Sequence, residues 1–329
     1  MTLLIMLKKI FLFITLTGTL STITSFKNAT PKKVQQPVLR TIIVDAGHGL
    51  PDPGAKGKYS TESQLTLAIA MKVGEQLKTL LPDCKIIYTR TDENLPEGLD
   101  DKNVANRLRA KRANENHGDL FIAIHVNSME DHYSKTVIGH KKQTYYAYSG
   151  KGKNRKKIKK TRTVPIYKYT KLPCEIAGTE TYIWAVAKND QKKQFVNDNQ
   201  DFGGEQSDST YQYFDSPEAR IMASVRTQKY FDRSLLLATY VEDEFKKEGR
   251  TSWGVKQRNY EGIWVLQATA MPSILVETGF ICNPDEEDYL NSEKGQNEVT
   301  YAVTRAVLRY KQALEGGTDN LADTVALNR

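Results

Sequence analysis

Three polar residues stand directly after apolar runs, and each is of a type that binds metal or moves protons. His48 follows Thr41-Ile-Ile-Val-Asp-Ala46 and sits between Gly47 and Gly49. His125 follows Leu120-Phe-Ile-Ala-Ile124, with Asn127 and Ser128 beyond it, and Glu277 follows Ser273-Ile-Leu-Val276. A fourth, Glu62, opens a helical pattern after the first run, which would set it beside His48. In open α/β sheets ligands bind outside the carboxyl ends of strands, so these residues would share one place. Two imidazoles and a carboxylate, with a fourth position left for water, form a catalytic zinc set, and that mix suits zinc better than magnesium or calcium. Zinc lowers the pKa of a bound water from about 15.7 toward roughly 7. A carboxylate outside the metal can then take the water's proton and return it to a leaving amine. Glu277, arriving on a separate strand, fits that part. The glycines around His48 let the backbone turn and leave room. Singly, each residue is ordinary: strand-end histidines are commonly structural, and a glutamate opening a helix serves its dipole. Their convergence is what argues for chemistry.

Those side chains need elements to hold them. Thr41–Asp45, Lys85–Thr89, Leu120–His125 and Ser273–Glu277 have strand length. The first, third and fourth are too continuously apolar for a sheet with one wet face, and predict a sheet covered on both sides. Thr61-x-x-Gln64 has the form of a capping box, followed by Leu65, Ile69, Val73, Leu77 and Leu80 at three- and four-residue spacing. Asp101–Glu115 reads as a more polar helix. Ser216-Pro217-Glu218 reads as a cap with proline at the first helical position, opening an apolar face that reaches Phe245. A last helix runs from about Asp285 to Leu314, broken near Ser292. The alternation predicts an α/β fold: a single domain with a mostly parallel central sheet and helices on both faces. Two stretches, about 129–172 and 190–216, interrupt it and read as insertions outside the core.

Composition places the chain among globular proteins, with 39% hydrophobic and 26% charged residues in 329. Lys8-Lys9, the apolar run Ile10–Leu20 and small polar residues through Ser25 have the order of a secretory signal. The run is shorter than the roughly 20 apolar residues of a membrane-spanning helix. No cysteine stands near its end, which argues against lipid attachment. The expected organisation is a signal at 1–25, a linker at 26–38, a catalytic domain at 39–315 and a flexible tail at 316–329. Export to the periplasm or cell envelope follows. The net charge of +8 comes from one segment: Lys135–Lys171 holds thirteen cations and no Asp or Glu, and the rest carries 34 basic against 39 acidic residues. Such a block lies in solvent and suits an anionic partner, here polymers of the wall or membrane, with nucleic acid excluded by export. Cys84, Cys174 and Cys282 allow at most one disulfide and leave one thiol; they read as incidental, with Cys282 a buried thiol after a strand.

Ile43-Val-Asp-Ala-Gly-His-Gly49, Asp52-Pro-Gly-Ala55, Glu62, Arg109 and Asp119-Leu-Phe-Ile-Ala-Ile-His-Val-Asn-Ser128 together resemble the zinc-dependent N-acetylmuramoyl-L-alanine amidases of bacterial cell-wall turnover. The second half agrees in Gly178-Thr-Glu-Thr-Tyr182, Gly254-Val-Lys256, Pro272-Ser-Ile-Leu-Val-Glu-Thr-Gly-Phe280 and Asn283-Pro284. The resemblance covers about residues 39–128 and 176–314, in order. It implies one zinc ion bound by His48, Glu62 and His125, with Glu277 catalytic. The implied reaction is cleavage of the amide between the muramic lactyl group and L-alanine in peptidoglycan, for wall remodelling or daughter-cell separation. Leu50 and Thr278 depart from the family's usual residues, at positions expected not to touch the chemistry. Some members cover the zinc with a segment in the region of 190–216 until an activator protein removes it, which makes Glu205 a candidate blocking ligand. Two other classes compete: a zinc carboxypeptidase of wall peptides, and a non-catalytic wall-binding protein. The second would lack a ligand or the base, and all four residues are present. His117, His132 and His140 have no strand-end context and read as surface residues.

Overall fold

The computed structural model describes residues 38–150, 153, 155–198 and 217–316. The expected signal, most of the linker, Glu205 and the tail beyond Gly316 lie outside the described residues. Six strands form the central sheet: β1 (Thr41–Ala46), β2 (Lys85–Tyr88), β3 (Leu120–Asn127), β6 (Thr179–Ile183), β7 (Ser252–Gln257) and β8 (Ser273–Phe280). Their order is β2-β1-β3-β8-β6-β7. All neighbours pair in parallel except β6 with β8, so the sheet is mostly parallel as expected. Among the described residues seven α-helices accompany the strands: α1 (Glu62–Leu80), α2 (Lys102–Glu115), α3 (Asn189–Asp198), α4 (Pro217–Lys247), α5 (Trp264–Ala268), α6 (Pro284–Asn291) and α7 (Glu293–Leu314).

The central strands are apolar throughout because both faces are covered. Ile42, Val44, Ile122, Ile124 and Ile274 pack with α1, α4 and α7, while Ile43, Phe121 and Leu275 pack with Trp184, Leu266 and Met271 on the opposite side. The caps form where the residue types demand them. Gln64 accepts the Thr61 N–H at 3.0 Å, and Asp101 accepts those of Asn103 and Val104. The last helix breaks at Ser292, whose hydroxyl caps α7 by accepting the Gly295 N–H at 2.9 Å. His117, His132 and His140 are exposed.

One expectation gains detail and two need correction. The first insertion contains a long hairpin, β4 (Tyr133–Ser149) with β5 (Lys156–Lys171). Both of its faces meet solvent, so the alternation that marks a half-buried strand is missing; β-branched residues and tyrosines were the remaining sign. The second insertion begins with α3, whose Lys192 is fully buried. Its ammonium meets the Leu266 carbonyl at 2.7 Å, the Met271 carbonyl at 3.1 Å and the Thr269 and Ser273 hydroxyls at 3.2 Å. Burial pulls its pKa well below the usual lysine value. With acceptors of this kind no acidic residue marks the socket in sequence. Finally, Cys282 is paired with Cys174 in a disulfide, and Cys84 is the buried free thiol.

Candidate metal centre

His48 lies just past β1 with φ 59°, the left-handed region that histidine seldom adopts. Two buried arginines and a threonine hold the turn. Arg109 pairs with the Asp45 carboxylate and donates to the carbonyls of Ala46 at 2.6 Å and His48 at 2.5 Å. Arg90 donates to the carbonyls of Ala46 at 2.9 Å and Gly47 at 2.8 Å, and the Thr66 hydroxyl donates to Gly47 at 2.7 Å. Three successive carbonyls are thereby satisfied by side chains. Burial opposes the Asp45 charge, but Arg109 and the Thr89 hydroxyl outweigh it and keep its pKa below the usual carboxylate value. The glycines have closer reasons than a free turn. A Cβ on Gly47 would collide with the His125 imidazole, and one on Gly54 would meet Glu62 Oε2 at 2.5 Å and the His48 ring at 2.8 Å.

Glu62, the first residue of α1 and 5% exposed, stands between the two imidazoles. Its Oε1 is 2.9 Å from His125 Nδ1 and its Oε2 is 3.2 Å from His48 Nε2. The N–H groups of Ala55 and Val126 fix the carboxylate from behind, at 2.9 and 3.2 Å. Asp52 Oδ2 meets the other nitrogen of His48 at 2.9 Å, which orients that ring as a carboxylate behind a metal-binding histidine does. One donor atom from each of His48, Glu62 and His125 lies within 4.8 Å of the others, and no other group of three such side chains does so among the described residues. Burial disfavours charge on Glu62 and on His48. Hydrogen bonds and opposite charges overcome it: His125 and then His48 lower the carboxyl's pKa, while Glu62 and then Asp52 raise that of the His48 imidazole. A near-buried carboxylate facing two ring nitrogens calls for positive charge between them, and the donor chemistry fits a zinc ion.

Glu277 approaches from β8, where it pairs in register with His125. It is 5% exposed, and its buried Oε2 has no hydrogen-bond partner within the protein. Burial, with the nearby Glu62 charge second, pushes its pKa up to about 8, while Arg258 at 3.9 Å opposes this. Glu180, in register on β6, is engaged instead by Lys256, Asn127 and Tyr182. A cleft of about 400 Å³ opens onto these groups, walled by Lys102, Asn106, Arg258 and Trp264 as well as the donors. All four predicted residues therefore meet. Glu205 lies outside the described residues. The residue-by-residue reading missed Asp52, Arg90 and Arg258; a polar residue just beyond an apolar run was the available sign for Arg90. Thr278 meets only the backbone behind the site, where its hydroxyl donates to the His125 carbonyl at 3.0 Å.

A family model described as N-acetylmuramoyl-L-alanine amidase matches residues 42–309. The chain belongs to this amidase family. Among its relatives, the germination-specific N-acetylmuramoyl-L-alanine amidase of Bacillus subtilis is 23% identical over 277 residues, covering 82% of this chain and 79% of that one. N-acetylmuramoyl-L-alanine amidase AmiA of Escherichia coli is 24% identical over 290 residues, covering 87% and 81%. The CwlD amidase of Clostridioides difficile, solved in complex with the GerS lipoprotein, shares the fold with a TM-score of 0.50 at 20% identity, over 83% of this chain and 99% of that one. As a member of the family the chain is a hydrolase acting on the amide bonds of peptidoglycan.

Proposed function

We propose that His48, Glu62 and His125 hold one zinc ion and that Glu277 is the catalytic acid–base in cleaving the amide between N-acetylmuramic acid and L-alanine. The observation that carries this reading is the His–Glu–His cluster beside a buried Glu277 oxygen that has no partner of its own. Bound there, zinc would supply Lewis acidity, polarising the amide carbonyl and lowering the pKa of water toward about 7. The protein's own groups do the rest. Asp52 fixes the His48 ring, and the Arg90 and Arg109 clamps fix its backbone. Glu277 accepts the proton of the attacking water; as the carbon–nitrogen bond breaks, it passes that proton to the departing L-alanine nitrogen, leaving a muramic carboxylate and a free amine.

Export to the periplasm or envelope belongs to this reading, because the Cys174–Cys282 disulfide suits an oxidising compartment. A protein activator does too, by analogy with the CwlD amidase held in complex with a lipoprotein. The test is metal analysis of the purified protein beside a His48→Ala variant. The expected result is one zinc per chain in the parent, and loss of zinc and hydrolysis together in the variant, with circular dichroism unchanged. A variant that loses zinc but keeps full activity would contradict the proposal.

A further inference from the structure

β4 and β5 run antiparallel through sixteen registered pairs. At roughly 3.4 Å per residue that ribbon is about 50 Å long. It is a sheet separate from the central one, and none of the residues of its two strands is buried. So long an exposed element does little for the core, and its surface remains open to a partner.

Directly paired residues share a face, so the register sorts the side chains. One face carries Tyr133, Tyr146, Tyr148, Tyr167 and Tyr169. The other carries a single tyrosine, Tyr145, with Ile158, Val164 and Ile166. Cations are spread over both. On the tyrosine face they interleave with the rings: Lys135 lies 3.7 Å over Tyr167, Lys157 lies 4.3 Å over Tyr146, and the Arg155 guanidinium lies 4.6 Å over Tyr148. No Asp or Glu interrupts residues 135–171.

A ligand for such a face needs flat C–H surface to lie on the rings and anions spaced to meet the cations. Pyranose rings bearing carboxylates offer both. A bilayer matches less well. It would take up aromatic and aliphatic groups together and leave the far side in water, whereas here only Val137 shares the tyrosine face, Ile158, Val164 and Ile166 lie on the other, and both faces are charged. We propose that the tyrosine face of the β4–β5 ribbon binds an acidic polysaccharide laid along it. This surface would hold the enzyme on its polymer while the cleft works, a role that rests on the amidase reading, although the binding itself does not.

The test measures binding of the intact mature protein to polygalacturonate, with neutral dextran, poly-L-glutamate and phosphatidylglycerol vesicles as comparisons. Two variants of equal charge are compared: Lys135, Lys142, Lys157 and Lys159→Gln on the tyrosine face, and Lys141, Lys156, Lys160 and Lys168→Gln on the other. A third, Tyr146→Ala with Tyr169→Ala, keeps every charge. Polygalacturonate should bind more tightly than any comparison and weaken with salt. The tyrosine-face lysine set should lose about tenfold in affinity and the opposite set clearly less, as expected for directional ion pairing. The tyrosine pair should lose about fivefold or more through stacking alone. Equal losses from both lysine sets, no loss from the tyrosine pair, or equal binding to poly-L-glutamate or vesicles would overturn the proposal. Hydrolysis of a small soluble muramoyl peptide should be unchanged in all three variants. If the parent fails to cleave that peptide, the amidase reading fails while the binding result stands.

Discussion

In the proposed mechanism Glu277 is the residue on which the chemistry turns. Its Oε2 is buried without a partner, and its pKa is pushed to about 8 by burial and by Glu62. Replacing it with Gln should leave zinc content unchanged and reduce hydrolysis by a factor of about 10² to 10⁴, the usual worth of a general acid–base; near-parental turnover would contradict its role. The same shift has a pH signature. With a raised pKa, the folded metal-free protein holds a proton that the unfolded chain has already released. Glu277 therefore adds to stability at acid pH, and that contribution is lost as pH rises from about 4.5 toward 8. Melting curves of metal-free parent and Glu277→Gln should diverge across that window, the parent alone losing stability through this group; parallel curves would contradict the shift. His48, His125 and Glu277 were legible because they follow apolar runs that share one sheet edge, and Glu62 because it opens the helix after the first run. Arg90 and Asp52 were not, because their partners are backbone carbonyls and a ring already assigned.

Among the elements, the β1 turn depends on a pair with no exposure to water. Asp45 and Arg109 are each 1% exposed, and Arg109 also carries the carbonyls of Ala46 and His48. Arg109→Leu would strand the Asp45 charge in the core and release the turn. The expected cost is about 3 to 5 kcal/mol in urea unfolding, with zinc affinity falling alongside. A loss under about 1 kcal/mol would show that the pair is dispensable. The central strands and capped helices were readable because burial on both faces and capping impose residue types. The hairpin and α3 were not. A ribbon wet on both sides shows no alternation, and a lysine bonded to carbonyls and hydroxyls has no acidic partner to betray its burial.

At the scale of the whole molecule, the Cys174–Cys282 disulfide joins the chain leaving the hairpin to the segment just after β8, across 108 residues. Replacing both cysteines with serine should cost about 2 to 5 kcal/mol, read as a lower denaturant midpoint, and reductant should reproduce the loss in the parent only. An unchanged midpoint would make the bridge incidental, as cysteine spacing alone suggested. Pairing at such a separation has no sequence mark; it follows from the fold that brings both ends together. The charge distribution, by contrast, could be read directly, since thirteen cations in one stretch stand out in any order. The central claim meets its most direct test in a digest of purified peptidoglycan by the mature protein, with and without chelator, the released ends identified by mass spectrometry. Intact stem peptides with a free L-alanine amine should appear, and chelator should abolish them. Release of D-amino acids instead, or no chelator-sensitive L-alanine ends even after deletion of residues 199–216, which spares α3 and its buried Lys192, would contradict it.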